Sequence, residues 1–290
     1  MTHPVIVELL AGGPVLTDGG WGTQFFKLGK RPGTRSELWN LSHPDLVEEV
    51  AKSYVDAGSE IILTNTFQAN RFSLPDALEQ VEAINHAGAQ ISKRAAGERS
   101  KVFASMGPTN KLLVMGDVSE AELSDVFSEQ ATALADGGAD GIVIETMSDL
   151  AEATIALDAA AATGLPVVVS MTFDTGRNGD RTMMGVAPAE AAKTLADAGA
   201  DVIGANCGLG VDRVAPVCEA LVQATDLPIW IKANAGAPAL IEREVVYQMT
   251  ADEFAGHVQS LVSAGAGFIG GCCGTTPEFI AAIDRTLRPG

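Results

Sequence analysis

The sequence predicts an α/β protein of the (β/α)8 class, a TIM barrel, as one domain over residues 1–290. Three observations predict it. Eight short apolar runs rich in Val and Ile alternate with stretches of helical spacing, as parallel strands covered on both faces require. A small phrase recurs ahead of four runs, as DAGSE (56–60), DGGAD (136–140), DAGAD (197–201) and SAGAG (263–267). Each copy ends a helix on a Gly suited to a left-handed cap and starts the next strand. No linker or shift in composition divides the chain. An open doubly wound sheet is the alternative, but neither a dinucleotide fingerprint nor a phosphate loop follows the first run.

Taken in order, the candidate strands cover residues 15–18, 60–64, 102–106, 141–145, 166–172, 202–206, 228–232 and 267–271. Helical spacing covers 44–57, 77–96, 120–136, 149–162, 188–198, 211–224, 251–263 and 277–287. In the first of these, Leu46, Val47, Val50, Tyr54 and Val55 form one apolar stripe. Pro44, Pro188 and Pro277 fall where proline suits a first helical turn.

Composition narrows the function. Of 290 residues, 47% are hydrophobic and 19% charged, so a large packed core is expected. The net charge of −18 is spread along the chain and would repel a phosphate backbone, which argues against nucleic acid as a partner. The N-terminus lacks the basic start of an export signal, and no run approaches the roughly 18 apolar residues of a membrane span. A cytoplasmic protein is expected. Four cysteines, two of them adjacent, then read as metal or catalytic thiols rather than a disulfide framework.

In a barrel the chemistry sits where strands end and βα loops begin. Cys207 ends the sixth strand in GANCGLG, and Cys272 and Cys273 end the eighth in GGCCGTTP. Cys218 lies inside a helix and is expected in the core. Adjacent cysteines on a regular strand point to opposite faces, so both reach one point only if the chain bends, which Gly270, Gly271 and Gly274 permit. Three thiolates can hold Zn²⁺ at about 2.3 Å and leave a fourth position open, the mark of a catalytic site. An inert buried thiol cluster or a disulfide is the alternative. A substrate thiol in the open position would lose its proton and become a nucleophile at neutral pH, suited to an activated methyl carbon. Other strand ends carry Asp18, Glu145, Asn206 and Asn234. Asp18 and Glu145 could accept from an amino-acid ammonium, and the N–H groups of Gly19 and Gly20 could meet its carboxylate. A helix cap or a structural ion pair is the alternative for each carboxylate.

These motifs resemble the homocysteine S-methyltransferase family. The likeness runs through DGGWGTQ from residue 18, TNTF (64–67), IETMSDLAEA (144–153), NCGLG (206–210), KANAG (232–236) and GGCCGTTP (270–277), essentially the whole chain. It implies a (β/α)8 barrel in which zinc activates the sulfur of homocysteine to accept a methyl group, giving methionine. It implies Cys207, Cys272 and Cys273 as zinc ligands, Asp18 and Glu145 at the homocysteine amino group, and Gly19 and Gly20 at its carboxylate; Asn206 and Asn234, at neighbouring strand ends, are further substrate-binding candidates from their position alone. The TNTF, NCGLG and KANAG versions are most similar to the homocysteine-binding module of cobalamin-dependent methionine synthase, here expected as a stand-alone domain. A cobalamin route would then need a separate corrinoid protein.

The expected donor is a small onium compound such as betaine, S-methylmethionine or another methylsulfonium. Trp21, in the first βα loop, could face such a cation through its ring or could simply pack over the barrel mouth. The acidity of the chain favours a cation mildly. A methyl-corrinoid protein is the alternative donor. Two rival classes have less behind them: a Schiff-base aldolase using Lys232, and a non-catalytic zinc or thiol sensor.

Overall fold

A computed structural model describes residues 2–31, 33–208, 210–241 and 244–289. Eight parallel strands form the central sheet: β1 (Val15–Leu16), β2 (Ile61–Ile62), β3 (Lys101–Met106), β4 (Gly141–Met147), β5 (Val167–Met171), β6 (Val202–Cys207), β7 (Ile229–Ala233) and, after a hairpin of β8 (Ala239–Ile241) and β9 (Glu244–Val246), β10 (Ala266–Gly271). The order is β1-β10-β7-β6-β5-β4-β3-β2. A parallel bridge between Thr17 and Ile61 joins the two ends, so the sheet closes on itself as a (β/α)8 barrel.

The recurring αβ phrase does what its glycines suggest. Gly58, Gly138, Gly199 and Gly265 have φ of 102°, 91°, 98° and 97°, values costly for any residue with a Cβ. The helix Pro44–Asp56 starts on proline and buries Val47, Val50, Ala51, Tyr54 and Val55 against the sheet. The helix Glu120–Asp136 opens with a capping box in which Ser119 and Glu122 satisfy each other's backbone N–H groups.

Several elements depart from the sequence reading. β1 and β2 keep only two ladder residues each, because the chain beyond them turns to side-chain bonding around Asp18. The stretch 77–96 begins as a 3-10 turn, Pro75–Gln80, before the α-helix Val81–Ala96. The stretch 251–263 divides into Ala251–Ala255 and Val258–Ser263 around Gly256. The short helices Pro4–Leu10 and Trp21–Lys27 and the β8–β9 hairpin are additions.

The N-terminal helix Pro4–Leu10 decides which end of the barrel can hold chemistry. Its Val5, Ile6, Leu9 and Leu10 pack on an apolar layer inside the ring that includes Val15, Phe103, Val143, Trp230 and Phe268. Phe103 and Trp230 stack with centroids 6.4 Å apart and ring planes 7° from parallel. This dry floor seals one end, so only the C-terminal mouth is open. Among the described residues no helix is long and apolar enough to cross a membrane.

Candidate active site

Two strand ends bring three thiols together. β6 ends on Cys207 with φ 61°, a left-handed conformation that costs a non-glycine residue about 1–3 kcal/mol and turns the chain sharply. Asn234 braces that turn, its Nδ2 donating to Gly208 O at 2.8 Å while its Oδ1 accepts from Cys273 N at 3.0 Å. After β10 the ladder gives way to a tight turn, in which Thr275 N and Oγ1 both donate to Cys272 O, at 3.2 and 2.7 Å. Gly274 follows at φ 81°, and a Cβ at Gly271 would lie 2.3 Å from Thr275 Oγ1. The bend therefore rests on left-handed backbone and close approach, and it lets neighbouring cysteines face one point.

The sulfurs of Cys207, Cys272 and Cys273 all lie within 4.8 Å of one another, Cys207 and Cys273 at 3.9 Å. A disulfide would hold its sulfurs at about 2.05 Å. Tetrahedral thiolates bound to a metal at 2.3 Å stand about 3.8 Å apart, so the cluster fits a metal ion. The acid–base chemistry agrees. For Cys207 a hydrogen bond with Cys272 favours the thiolate, but Cys273 and burial outweigh it and push the thiol up to about 11. For Cys273 a hydrogen bond with Cys207 favours the thiolate, but Cys272 and burial push it up to about 12. Cys272 is raised as well, chiefly by its bond with Cys207. Three crowded thiols resist ionising together unless a cation joins them. Cys218, by contrast, is fully buried in the helix Ala215–Ala224.

Across the mouth lie two carboxylates and one amine. Asp18 is fully buried; its Oδ2 accepts from Trp21 Nε1 at 2.6 Å and Leu63 N at 2.7 Å, and its Oδ1 is ion-paired with Lys232 Nζ. Glu145 sits just before Thr146, a β-branched residue at φ 63°, where the β4–β5 register slips. That irregularity aims Glu145, and Asn206 fixes it. Asn206 Oδ1 accepts from Thr146 N at 2.8 Å and Ser170 Oγ at 2.7 Å, while its Nδ2 donates to Thr146 Oγ1 at 2.7 Å and faces Cys272 Sγ at 3.9 Å. The polar atoms of Asn206 and Asn234 are thus engaged inside the protein. Ser105 Oγ donates to Glu145 Oε1 at 2.5 Å; among the described residues no donor reaches Oε2. Burial raises the Glu145 carboxyl; the charge of Lys232 and the Ser105 bond pull it down, and Asp18 adds a small push upward.

The first loop is tightly committed. Gly20 N donates to Thr275 Oγ1 at 3.0 Å, and a Cβ at Gly20 would lie 2.5 Å from Cys272 O. Gly19 N has no acceptor among the described residues. Trp21 does not present a free ring to the mouth. Its indole N–H is held by Asp18 and its ring packs 6.0 Å from Phe25 and 6.5 Å from Tyr54.

Sequence reasoning missed Ser105 and Tyr247. Ser105 lies inside an ordinary strand run, and nothing in its spacing marks it. Tyr247 follows the unforeseen hairpin; its ring packs on Gly274, and its phenol is raised first by burial and then by Cys273. Lys232 does not suit the Schiff-base role. Its amine is ion-paired and its side chain 2% exposed, which removes the free, reachable nucleophile that role needs.

The first βα loop departs from the acidity of the chain. Residues 19–43 carry Lys27, Lys30, Arg31 and Arg35 against one acid, Glu37, which is buried. Phe26, Val114, Met115, Met183, Leu240 and Val245, each more than half exposed, stand on the loops after β1, β3, β5 and β7. The rim is thus apolar in part and basic at its first loop, so the net charge of the chain does not single out a cationic donor.

Comparison with known proteins gives a family and a fold. The homocysteine S-methyltransferase family profile matches residues 15–287. The methionine synthase of Mycobacterium tuberculosis is 29% identical over 98% of this chain but 26% of its own length, and that of Mycobacterium leprae is 29% identical over 96% and 24%. The chain thus spans about a quarter of these relatives. Among solved structures, the metallated form of the Escherichia coli homocysteine methyltransferase MmuM superposes with a TM-score of 0.81 at 23% identity, covering 97% of this chain and 99% of that one. Its apo form gives 0.75 at 21% identity, covering 97% and 99%. At that identity the likeness supports the fold alone.

Proposed function

The chain belongs to the homocysteine S-methyltransferase family, and from that premise we propose that it transfers a methyl group to the thiol of homocysteine, giving methionine. One observation carries the reading: a three-thiol cluster that fits a metal faces a buried carboxylate with one open oxygen across the barrel mouth. Cys207, Cys272 and Cys273 would hold zinc, whose soft, four-coordinate chemistry suits three thiolates plus one exchangeable position. Bound there, zinc supplies a Lewis acid that lowers the pKa of the substrate thiol.

The rest of the work falls to the chain. The Asp18–Glu145 side takes the substrate ammonium. The Gly19–Gly20 loop meets the carboxylate, with Gly19 N as the available donor. Asn206 and Asn234 act as braces, tying the carboxylate strand and the Cys207 turn to the Cys272–Cys273 turn. The substrate sulfur, freed of its proton, attacks the methyl carbon in line; a sulfur–carbon bond forms as the donor–carbon bond breaks, and the leaving group departs with the electron pair. Orientation across the mouth is the main protein contribution. Free thiols at the centre suit a reducing compartment, the cytoplasm.

For the donor, the rim favours a methyl group brought by a separate corrinoid protein over a small onium compound. Trp21 is committed to Asp18, the first loop is basic, and exposed apolar side chains ring the entrance. Zinc-loaded protein should be incubated with homocysteine and, in parallel, with betaine, S-methylmethionine, S-adenosylmethionine and a methylated corrinoid protein, and methionine quantified. Turnover with the corrinoid protein alone is expected. Turnover with an onium compound would reverse the donor reading, and no methionine from any donor would sink the function.

A further inference from the structure

A centre that activates one sulfur must keep its own sulfurs out of the reaction. Cys207, Cys272 and Cys273 are all partly exposed, and their sulfurs lie within 4.8 Å of one another. A methyl carbon brought to a substrate thiol among them also comes near the ligands. Attack by a ligand thiolate is a dead end. A sulfur–carbon bond forms, the donor–carbon bond breaks, the leaving group takes the electron pair, and the cysteine becomes a thioether. A thioether is neutral and a weak acceptor, so the set of three thiolates is lost. Each of the three sulfurs meets a neutral donor from another part of the chain. Asn206 Nδ2 faces Cys272 Sγ at 3.9 Å. The Asn234 amide stands within hydrogen-bonding reach of Cys207, and the Tyr247 phenol within reach of Cys273. The two amides also brace turns through Thr146 and Gly208. Tyr247 is simpler. It follows β9 directly, and its ring packs on the cysteine turn, where a Cβ at Gly274 would lie 2.3 Å from Tyr247 Cγ. Taking away its hydroxyl alone leaves that packing in place.

We propose that Tyr247 is a specificity-determining residue: its phenol O–H, aimed at Cys273, blunts that ligand sulfur, so the methyl group goes to the substrate thiol rather than to the protein. The inference rests on the reading of the three cysteines as metal ligands and goes beyond it in settling which sulfur reacts. A phenol is protonated at neutral pH, and burial pushes this one further up, so it acts as a donor. A hydrogen bond to an anionic sulfur is charge-assisted and draws electron density from it. The nucleophilicity of a thiolate falls with its basicity, and bonds of this outer kind tune metal-bound ligands.

The test treats the zinc-loaded full chain with methyl iodide at pH 7, without homocysteine. Each ligand sulfur that attacks gains the methyl group and releases iodide with the electron pair. Peptide mass spectrometry follows methylation at each cysteine, and a chromogenic chelator follows zinc release. Tyr247→Phe keeps the ring and loses the donor, and Cys273 should then be methylated about fivefold faster. Cys207 and Cys272 should stay within about twofold of wild type. Replacing Tyr247 with 3-fluorotyrosine gives a stronger donor of nearly the same shape, and methylation of Cys273 should slow about twofold. With homocysteine present, the ratio of methionine to methylated Cys273 should fall about fivefold in Tyr247→Phe. Zinc content and a cooperative melt are recorded for every protein.

A rate at Cys273 that follows donor strength across the three proteins supports the proposal. Equal rates at Cys273 in all three, with zinc retained, overturn it and leave the metal reading standing. A rise at all three cysteines together in Tyr247→Phe marks loosened packing and overturns it as well. Should Tyr247→Phe fail to hold zinc, the fluorotyrosine protein against wild type decides: slower methylation at Cys273 supports the proposal, and an equal or faster rate overturns it. A wild-type protein that holds no zinc overturns the metal reading and this one with it.

Discussion

The floor and the mouth of the barrel are built by the same eight strands and obey opposite rules. At the floor, Phe103, Trp230 and Phe268 meet inside the ring under the helix Pro4–Leu10 in apolar contact, none of the three in left-handed backbone. At the mouth, Cys207 and Thr146 hold left-handed backbone, a lysine and two carboxylates are buried, and the thiols are crowded enough to resist ionisation. Each mouth feature costs stability, and the floor and the helical shell offset it. The difference teaches where to look for function in a closed barrel: at the end where the chain violates the rules the other end keeps.

Mutations can break this contrast, and the largest effect is expected at the thiols. Cys272→Ala should lower metal retention to background and reduce methionine formation at least about 10³-fold, since two thiolates no longer make a closed donor set. Metal analysis beside a product assay checks it, and full activity without bound metal would refute the mechanism. At the floor, Trp230→Ala should cost about 3–5 kcal/mol in denaturant unfolding while the folded fraction still binds metal at full stoichiometry. Loss of metal affinity in the folded fraction would show that the two ends are not independent. Asn206→Ala should act between them. It frees Thr146 and removes a neighbour of Cys272, so kcat/KM should fall about 10–100-fold with the barrel intact by circular dichroism.

The smallest effect is a pH dependence. Burial raises the Glu145 carboxyl above the ordinary range, so the folded state binds that proton more tightly than the unfolded state. Its contribution to stability is therefore fully present below the ordinary carboxylate value and is lost as pH rises through the raised folded value. Glu145→Gln should accordingly melt higher than wild type at pH 8, by a few degrees, with the gap closing toward pH 4. A gap that widened toward acid would reverse the sign of the shift.

Much of the frame was legible in the chain because periodicity and glycine placement are local. Gly58, Gly138, Gly199 and Gly265 mark their turns in the sequence and adopt the left-handed backbone those turns need. Helix boundaries at 120–136 and 277–287 follow from capping and proline signals. The hairpin β8–β9 was not legible, since two strands of three residues give too short a pattern to distinguish from loop. The split at Gly256 escaped as well, because the apolar period runs on across it.

At the site, the residue types that carry chemistry stood out, and their partners did not. A cysteine pair beside glycines announces a bend and a soft donor set from the sequence alone, whereas an ordinary serine such as Ser105 announces nothing. What the sequence determined by itself was the barrel, its strand ends and the three thiols at those ends, because each depends on local pattern. Only the tertiary structure decided the charge balance across the mouth. Asp18 and Lys232 are 214 residues apart, and their pairing exists because closing the ring lays β1 two strands from β7. Burial then turns that proximity into a fixed ion pair, and Glu145 is left as the carboxylate with an open oxygen.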